Sequence, residues 1–295
     1  MNLQVATRQA ERPSAAMCIT RLASGRGPLA AALQHWPEYL IETIGLGLFV
    51  LSACLFITLL EHPDSPVRQT VTEPMLRRIP MGLAMGLTAV GLSYSPWGQR
   101  SGAHFNPSVT LTFWRLGKVA PWDAVFYVAA QFIGAIAGVG VAATILEARL
   151  AYPSVSYAAT VPRRGAGIAF VAEFVISFVL MTVVLTVSNS PRFNRFTGLC
   201  AGVLITSYIV FEAPLSGMSM NAARTVGSAL YARAWMAIWV YFTAPLLGML
   251  SAAQLYVRIQ GAQKIFCAKL HHHNAQRCIF RCDYAALAER NAWRV

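Results

Sequence analysis

Two stretches of this chain hold the residues best placed for chemistry. One is Ser101-Gly102-Ala103-His104-Phe105-Asn106-Pro107-Ser108-Val109-Thr110. The other is Ser216-Gly217-Met218-Ser219-Met220-Asn221-Ala222-Ala223-Arg224-Thr225, with Ser, Gly, Asn and Thr at the same offsets. Asn is a strong N-cap, and Pro is favoured at the first helical position because its missing N–H would be unpaired there anyway. Asn106 therefore caps a short helix starting at Pro107, and Asn221 one starting at Ala222. Each helix start carries roughly half a positive charge, and each Asn amide can donate to a passing oxygen. Arg224, one turn into the second helix, adds a full charge. Such a pair binds small neutral solutes through oxygen and repels cations, protons included.

A surrounding structure must hold two polar loops inside an apolar chain. The 295 residues are 56% hydrophobic and 12% charged, against roughly 25% charged in soluble proteins. Mean hydropathy is +0.50. Six apolar stretches, at about 38–60, 79–95, 122–146, 168–188, 196–213 and 234–257, approach the roughly 20 residues that a spanning helix needs. The second and fifth are short, and each runs into one of the repeated loops. Matched short spans in two halves mark a conduction site, and irregular backbone survives at membrane depth only in protein or beside a water-filled cavity. The expected fold is an all-α membrane protein with six transmembrane helices and two re-entrant half-helices. Three spans per half make the repeat inverted. The expected divisions are a tail at 1–35, a channel domain at 36–260 with halves 36–146 and 166–260, and a tail at 261–295.

The net charge of +12 lies mostly in tails and loops, so topology explains it and nucleic acid is not an expected partner. With both tails inside, 16 of the 24 Lys and Arg face inward, which favours cytoplasmic termini. Residues 1–35 hold Arg8, Arg12, Arg21 and Arg26 but no uninterrupted apolar core, so no cleavable signal is expected. Glu42 and Glu173 stand at matching places near the start of each half. A buried carboxylate at membrane depth defaults to function, for example a proton relay. The symmetric placement favours loop support instead, each Glu accepting hydrogen bonds from its neighbouring loop.

These loops and glutamates, with the Ser-Gly-Ala-His run before Asn106, resemble the aquaporin (major intrinsic protein) family over about residues 36–260. The resemblance implies an aquaporin-like fold, a pore in each protomer, a homotetramer in the lipid bilayer, and transport of water and small neutral solutes without a required cofactor. Tyr94 through Asp123 is similar to bacterial members, which implies a bacterial inner (plasma) membrane. The family's usual loop motif is Asn-Pro-Ala. Here the motifs are Asn106-Pro107-Ser108 and Asn221-Ala222-Ala223. Losing Pro at the second frees an N–H and a preset φ, loosening the loop by a fraction of a kcal/mol while Ala keeps the helix. An open pore with altered selectivity is expected. The family's four filter positions fall on Met85 or Gly86, Ile209, Met218 and Arg224. Water-selective members place aromatic and His side chains at the first two, and this chain does not, which implies a wider, more apolar filter. Thr225, Ala229 and Tyr241-Phe242 are instead similar to water channels, so water and glycerol both remain candidate solutes, alongside urea, ammonia, hydrogen peroxide and neutral metalloid acids.

The C-terminal tail holds a second chemistry. Cys267, His271, Cys278 and Cys282 fall at four-residue spacings that can converge on one tetrahedral metal, zinc by default or another transition metal. A clip that holds the tail is the expected role, ahead of a gate. The competing readings are idle reduced thiols beside a chance His run, or a basic lipid-facing surface. Two other function classes stand behind a passive channel: an ion- or proton-coupled secondary transporter on the same repeat, and a metal-responsive sensor using the tail. No catalytic Ser/His/Asp set, paired carboxylates or nucleotide loop falls on the pore residues, so an enzyme is not expected.

Overall fold

The computed structural model describes residues 27–272 and 274–284. Arg8, Arg12, Arg21, Arg26, His273, Arg290 and Arg294 lie outside the described residues, as does most of the 1–35 tail. Eight helices carry the architecture: α1 (Pro28–Glu61), α2 (Pro74–Tyr94), α3 (Pro107–Arg115), α4 (Pro121–Leu146), α5 (Ala166–Ser188), α6 (Thr197–Phe211), α7 (Ala222–Ala232) and α8 (Trp239–Gln260). Proline opens α1 to α4, where its lost N–H costs nothing. The half-helices α3 and α7 span 9 and 11 residues, too short to cross a membrane at 1.5 Å per residue.

Among the described residues, five helical segments are long and apolar enough to cross a membrane: α1, α4, α5, α6 with its preceding turn, and α8. The second helix reaches 21 residues but holds Arg77 and Arg78 in its first turns. Two boundaries differ from the hydropathy reading. The first helix starts at Pro28, ten residues upstream of 38, because His35 and Glu38 find polar partners and need no solvent. The last starts at Trp239, since Arg233 leaves the preceding helix in a left-handed conformation (φ 54°). Large apolar side chains such as Leu83, Leu87 and Ile133 are half or more exposed on the outer surface. A patch of this kind is a liability in water but matches hydrocarbon.

Three helix pairings dominate: α1 with α4, α5 with α8, and α2 with α6. Exchanging the halves turns the first pairing into the second and maps the third onto itself, as an inverted repeat requires. Without a hydrophobic force between helices in lipid, close approach depends on small residues. A Cβ placed on Gly134 would sit 2.1 Å from Thr43 O, one on Gly138 2.4 Å from Gly47 O, and one on Gly248 2.4 Å from Phe174 O. Glycines thus set the spacing of both crossed pairs.

Connections gather at two faces. Ser154 donates to Glu61 O (2.6 Å) and Arg163 N to Leu215 O (3.2 Å) at one. At the other, Arg281 N donates to Lys118 O (2.9 Å) and Phe266 N to Asn189 Oδ1 (2.8 Å). Both loop copies enter between the long helices from these opposite faces. Gly134→Ala is expected to destabilise the fold by about 1–3 kcal/mol through overpacking, read as a lower melting temperature in detergent. Gly91→Ala, which meets nothing within 4 Å, is the neutral control; equal melting of both variants would refute this account of the crossing.

Candidate functional site

Each loop copy turns back on itself through left-handed backbone. Gly102, Ala103 and Phe105 have φ of 94°, 56° and 44°, and Gly217, Met218 and Met220 have 85°, 50° and 55°. Non-glycine residues avoid this region unless the surroundings hold them there. The two glutamates supply that hold. Glu42 accepts from Ser101 Oγ (2.8 Å), His104 N (3.1 Å) and Phe105 N (2.6 Å). Glu173 accepts from Ser216 Oγ (2.6 Å), Ser219 N (2.7 Å) and Met220 N (2.7 Å). Gln131 adds a bond to Glu42 (2.8 Å). Tyr127 donates to Ser101 O (2.7 Å), and Tyr241 donates to the matching Ser216 O. Both carboxylates are fully buried.

The half-helices meet head to head. Asn106 caps Ser108 N (2.8 Å) and Asn221 caps Arg224 N (3.1 Å). Each Asn then donates to the opposite loop: Asn106 Nδ2 to Met220 O (2.7 Å) and Asn221 Nδ2 to Phe105 O (2.8 Å). The sequence pattern predicts the caps; this reciprocal clasp is new. Pro107, Ser108, Ala222 and Ala223 follow the caps and are buried.

A cavity of 620 Å³ runs beside both loops and is lined by Asn106, Asn221 and Arg224. Met85, Ile209 and Met218 line it too. Gly86 does not: a Cβ there would lie 2.6 Å from Gly202 O, so it is the contact between α2 and α6, and of the two candidates Met85 faces the cavity. Arg224 Nη1 is buried and has no hydrogen-bond partner among the described residues. One end of the cavity is basic, lined by Arg68, Arg77, Arg78 and Arg163. Glu61 there accepts from Arg77 Nε (3.0 Å) and Nη2 (2.9 Å), a forked ion pair. Sequence reasoning placed these arginines in loops and missed the pair. It also missed the inner cluster. There Asp123 accepts from Tyr39 OH (2.6 Å) and lies 2.7 Å from His35 Nδ1, and Glu38 pairs with Arg100 (2.9 Å). Asp123 in the first turn of α4 was the available signal.

The chain matches the Major intrinsic protein family over residues 30–256. It belongs to the major intrinsic proteins. Among curated relatives, it is 36% identical over 181 residues to a probable aquaporin of NIP type from Nicotiana alata, covering 61% of this chain and 65% of that protein. It therefore spans somewhat under two thirds of that relative's length. It is 34% identical to glycerol uptake facilitator protein-like 6 of Lactiplantibacillus plantarum, over 62% of this chain and 85% of that one. The aquaglyceroporin of Plasmodium falciparum shares its fold, with a TM-score of 0.65 at 18% identity, covering 78% of this chain and 99% of the other.

This major intrinsic protein carries a second cluster in the segment after α8. Cys267, His272, Cys278 and Cys282 each offer a ligand atom, and these atoms lie within 4.8 Å of one another. Cys267 Sγ is 3.5 Å from Cys278 Sγ, and Cys282 Sγ is 2.9 Å from His272 Nε2. The cluster uses His272 where the sequence pattern pointed to His271. Adjacent residues in a non-helical segment project to different sides, and His271 packs edge-on against Tyr94 instead (5.1 Å between centroids). Hydrogen bonds from the Cys267 and Cys278 thiols hold Cys282 well below the ordinary thiol range. Burial works against protonating His272, but Cys278 and Cys282 outweigh it and push its pKa up to about 9.

Glu173→Gln would turn an amide NH₂ or a single remaining acceptor toward donors that now share a carboxylate. It is expected to cost about 1–3 kcal/mol for an unsatisfied buried group. Urea-dependent unfolding of purified protein measures this, and wild-type stability in the variant would show that the carboxylate does not hold the loop.

Proposed function

We propose that this chain is a passive transmembrane channel for water and small neutral solutes, glycerol-sized ones included. The carrying observation is the cavity beside the clasped Asn pair, with Met85, Ile209, Met218 and the guanidinium-bearing Arg224 on its wall. An apolar wall facing one fixed donor suits a solute with a carbon face and a hydroxyl face. Asn106, Asn221 and Arg224 orient solute oxygens, while the half-helix ends repel cations. Family relatives named as a glycerol uptake facilitator and an aquaglyceroporin support the same solute class. The full hydrogen bonding of Glu42 and Glu173 to their loops speaks against a proton relay and so against the coupled transporter.

The finer readings complete the proposal. The chain sits in a bacterial inner membrane with both termini cytoplasmic, as the Lys and Arg distribution favours. It assembles as a homotetramer, conducts without chemistry on its solutes, and needs no cofactor to conduct. The Cys₃His donor set of the tail suits a tetrahedral Zn²⁺.

Stopped-flow light scattering on proteoliposomes, under water and then glycerol gradients, tests the channel. Flux of both solutes above empty vesicles, without saturation or proton-gradient dependence, is the expected result. Flux that needs a proton gradient would replace the channel with a transporter. Ile209→His is expected to lower glycerol flux several-fold while largely keeping water flux, because it narrows the wall and adds polarity. Equal loss of both would mean that Ile209 does not select.

A further inference from the structure

The described part of the tail, 261–272 and 274–284, folds back on the helix bundle and touches α1, α2, α5 and the start of α4. Phe266 N is held by Asn189 at the end of α5 (2.8 Å). Arg281 N donates to Lys118 O before α4 (2.9 Å). Arg277 reaches Gln34 O on α1 (3.2 Å). His271 packs on Tyr94 at the end of α2.

Its centre meets the pore loop itself. Leu270 N donates to Gly102 O (3.2 Å), and Ala268 O lies 2.9 Å from His104 Nε2. Phe280 stacks on the His104 ring at 5.2 Å. It also fills the space beside Gly102, where a Cβ would lie 2.6 Å away. Leu270 lines the cavity together with Ala103 and His104. An apolar side chain from the tail thus stands in the wall of the conduction path at its inner end.

The segment packs into the apolar core through Cys267, Ala268, Leu270 and Phe280, and a second feature joins its two limbs. The chain from Cys267 to Cys282 is short, and its two limbs are joined where Cys267 and His272 face Cys278 and Cys282. A tetrahedral zinc with bonds of about 2.0–2.3 Å would hold its ligands about 3.3–3.8 Å apart; the Cys267–Cys278 separation of 3.5 Å fits, and Cys282 and His272 at 2.9 Å would open slightly on binding. Leu270 lies between the first two ligands in sequence, so closing the cluster fixes its position.

We infer that Zn²⁺ bound by Cys267, His272, Cys278 and Cys282 seats Leu270 and its neighbours over the inner mouth, so that metal occupancy regulates conduction. This rests on the zinc and channel readings above and goes beyond a clip that only tethers the tail. With zinc bound, the mouth is narrowed and flux is low. With zinc removed, the two limbs separate, the contacts to Gly102 and His104 weaken, and flux rises.

The full-length protein, reconstituted after loading with Zn²⁺ or after stripping with a chelator, gives the test. Metal per chain is read by elemental analysis, and water permeability by stopped-flow scattering at matched protein density. The expected result is one zinc per loaded chain and several-fold faster flux in the stripped protein. Leu270→Ala, which keeps all four ligands, is expected to retain zinc and conduct fast in both states. Cys278→Ser is expected to lose zinc and behave as stripped; should it fail to fold, Leu270→Ala still decides. Failure to retain zinc overturns the inference at its metal. Zinc retained with equal, measurable flux in both states overturns the gate and leaves a tether. Zinc-loaded Leu270→Ala as slow as zinc-loaded wild type removes Leu270 from the mouth. Absence of flux in every preparation, for water and glycerol alike, is a different failure, that of the channel reading beneath it.

Discussion

The cross-clasp at the centre of the molecule is the constraint on which the remaining structure depends. Asn106 can reach Met220 O, and Asn221 can reach Phe105 O, only if both half-helices start at the same depth and face each other. That requires two loops entering from opposite faces and turning sharply before the caps. The turns need left-handed backbone at residues that dislike it, and left-handed backbone exposes N–H groups that no helix can satisfy. In lipid an unsatisfied N–H costs several kcal/mol. Glu42 and Glu173 are therefore part of the same constraint, since each serves two backbone donors and a serine of its loop. The glycine crossings of α1 with α4 and α5 with α8 bring those glutamates and the supporting tyrosines to the loops.

Much of this was legible because duplication shows the same solution twice. A single Asn-Pro is a turn signal; two aligned polar loops behind two short apolar spans define a topology. The paired positions of Glu42 and Glu173 forecast their role for the same reason. Legibility failed where one residue of register mattered. Successive helical residues point about 100° apart, so the choice between Met85 and Gly86 could not come from counting, and only the Gly202 contact decides it. His271 and His272 pose the same problem in a non-helical segment. The upstream part of α1 was hidden because His35 and Glu38 look like loop residues until Asp123 and Arg100 are seen beside them. The path of the tail was hidden because it has no periodicity, and its partners lie far away in sequence.

The change from Pro to Ala222 can now be placed in this frame. At the first helical position an N–H has no partner within its own helix, so Ala222 brings to the start of α7 a donor that Pro107 lacks in α3. The caps differ as well: Asn106 serves the second helical position and Asn221 the third. The two halves are thus equivalent in topology but not in hydrogen bonding, and the asymmetry lies next to the narrow centre.

The electrostatics run in one direction along the whole path. Among the described residues lining the cavity, the one carboxylate is Glu61, and Arg77 holds it in a forked pair with Arg68 nearby. The centre carries two helix N-termini and Arg224. Glu42 and Glu173 are spent on the loops and do not line the cavity. A cation therefore finds donors but no unpaired negative charge to replace its hydration, at the basic mouth or at the centre. Exclusion of cations by this arrangement needs no moving part, so the role proposed for the tail is to control how much passes rather than what passes.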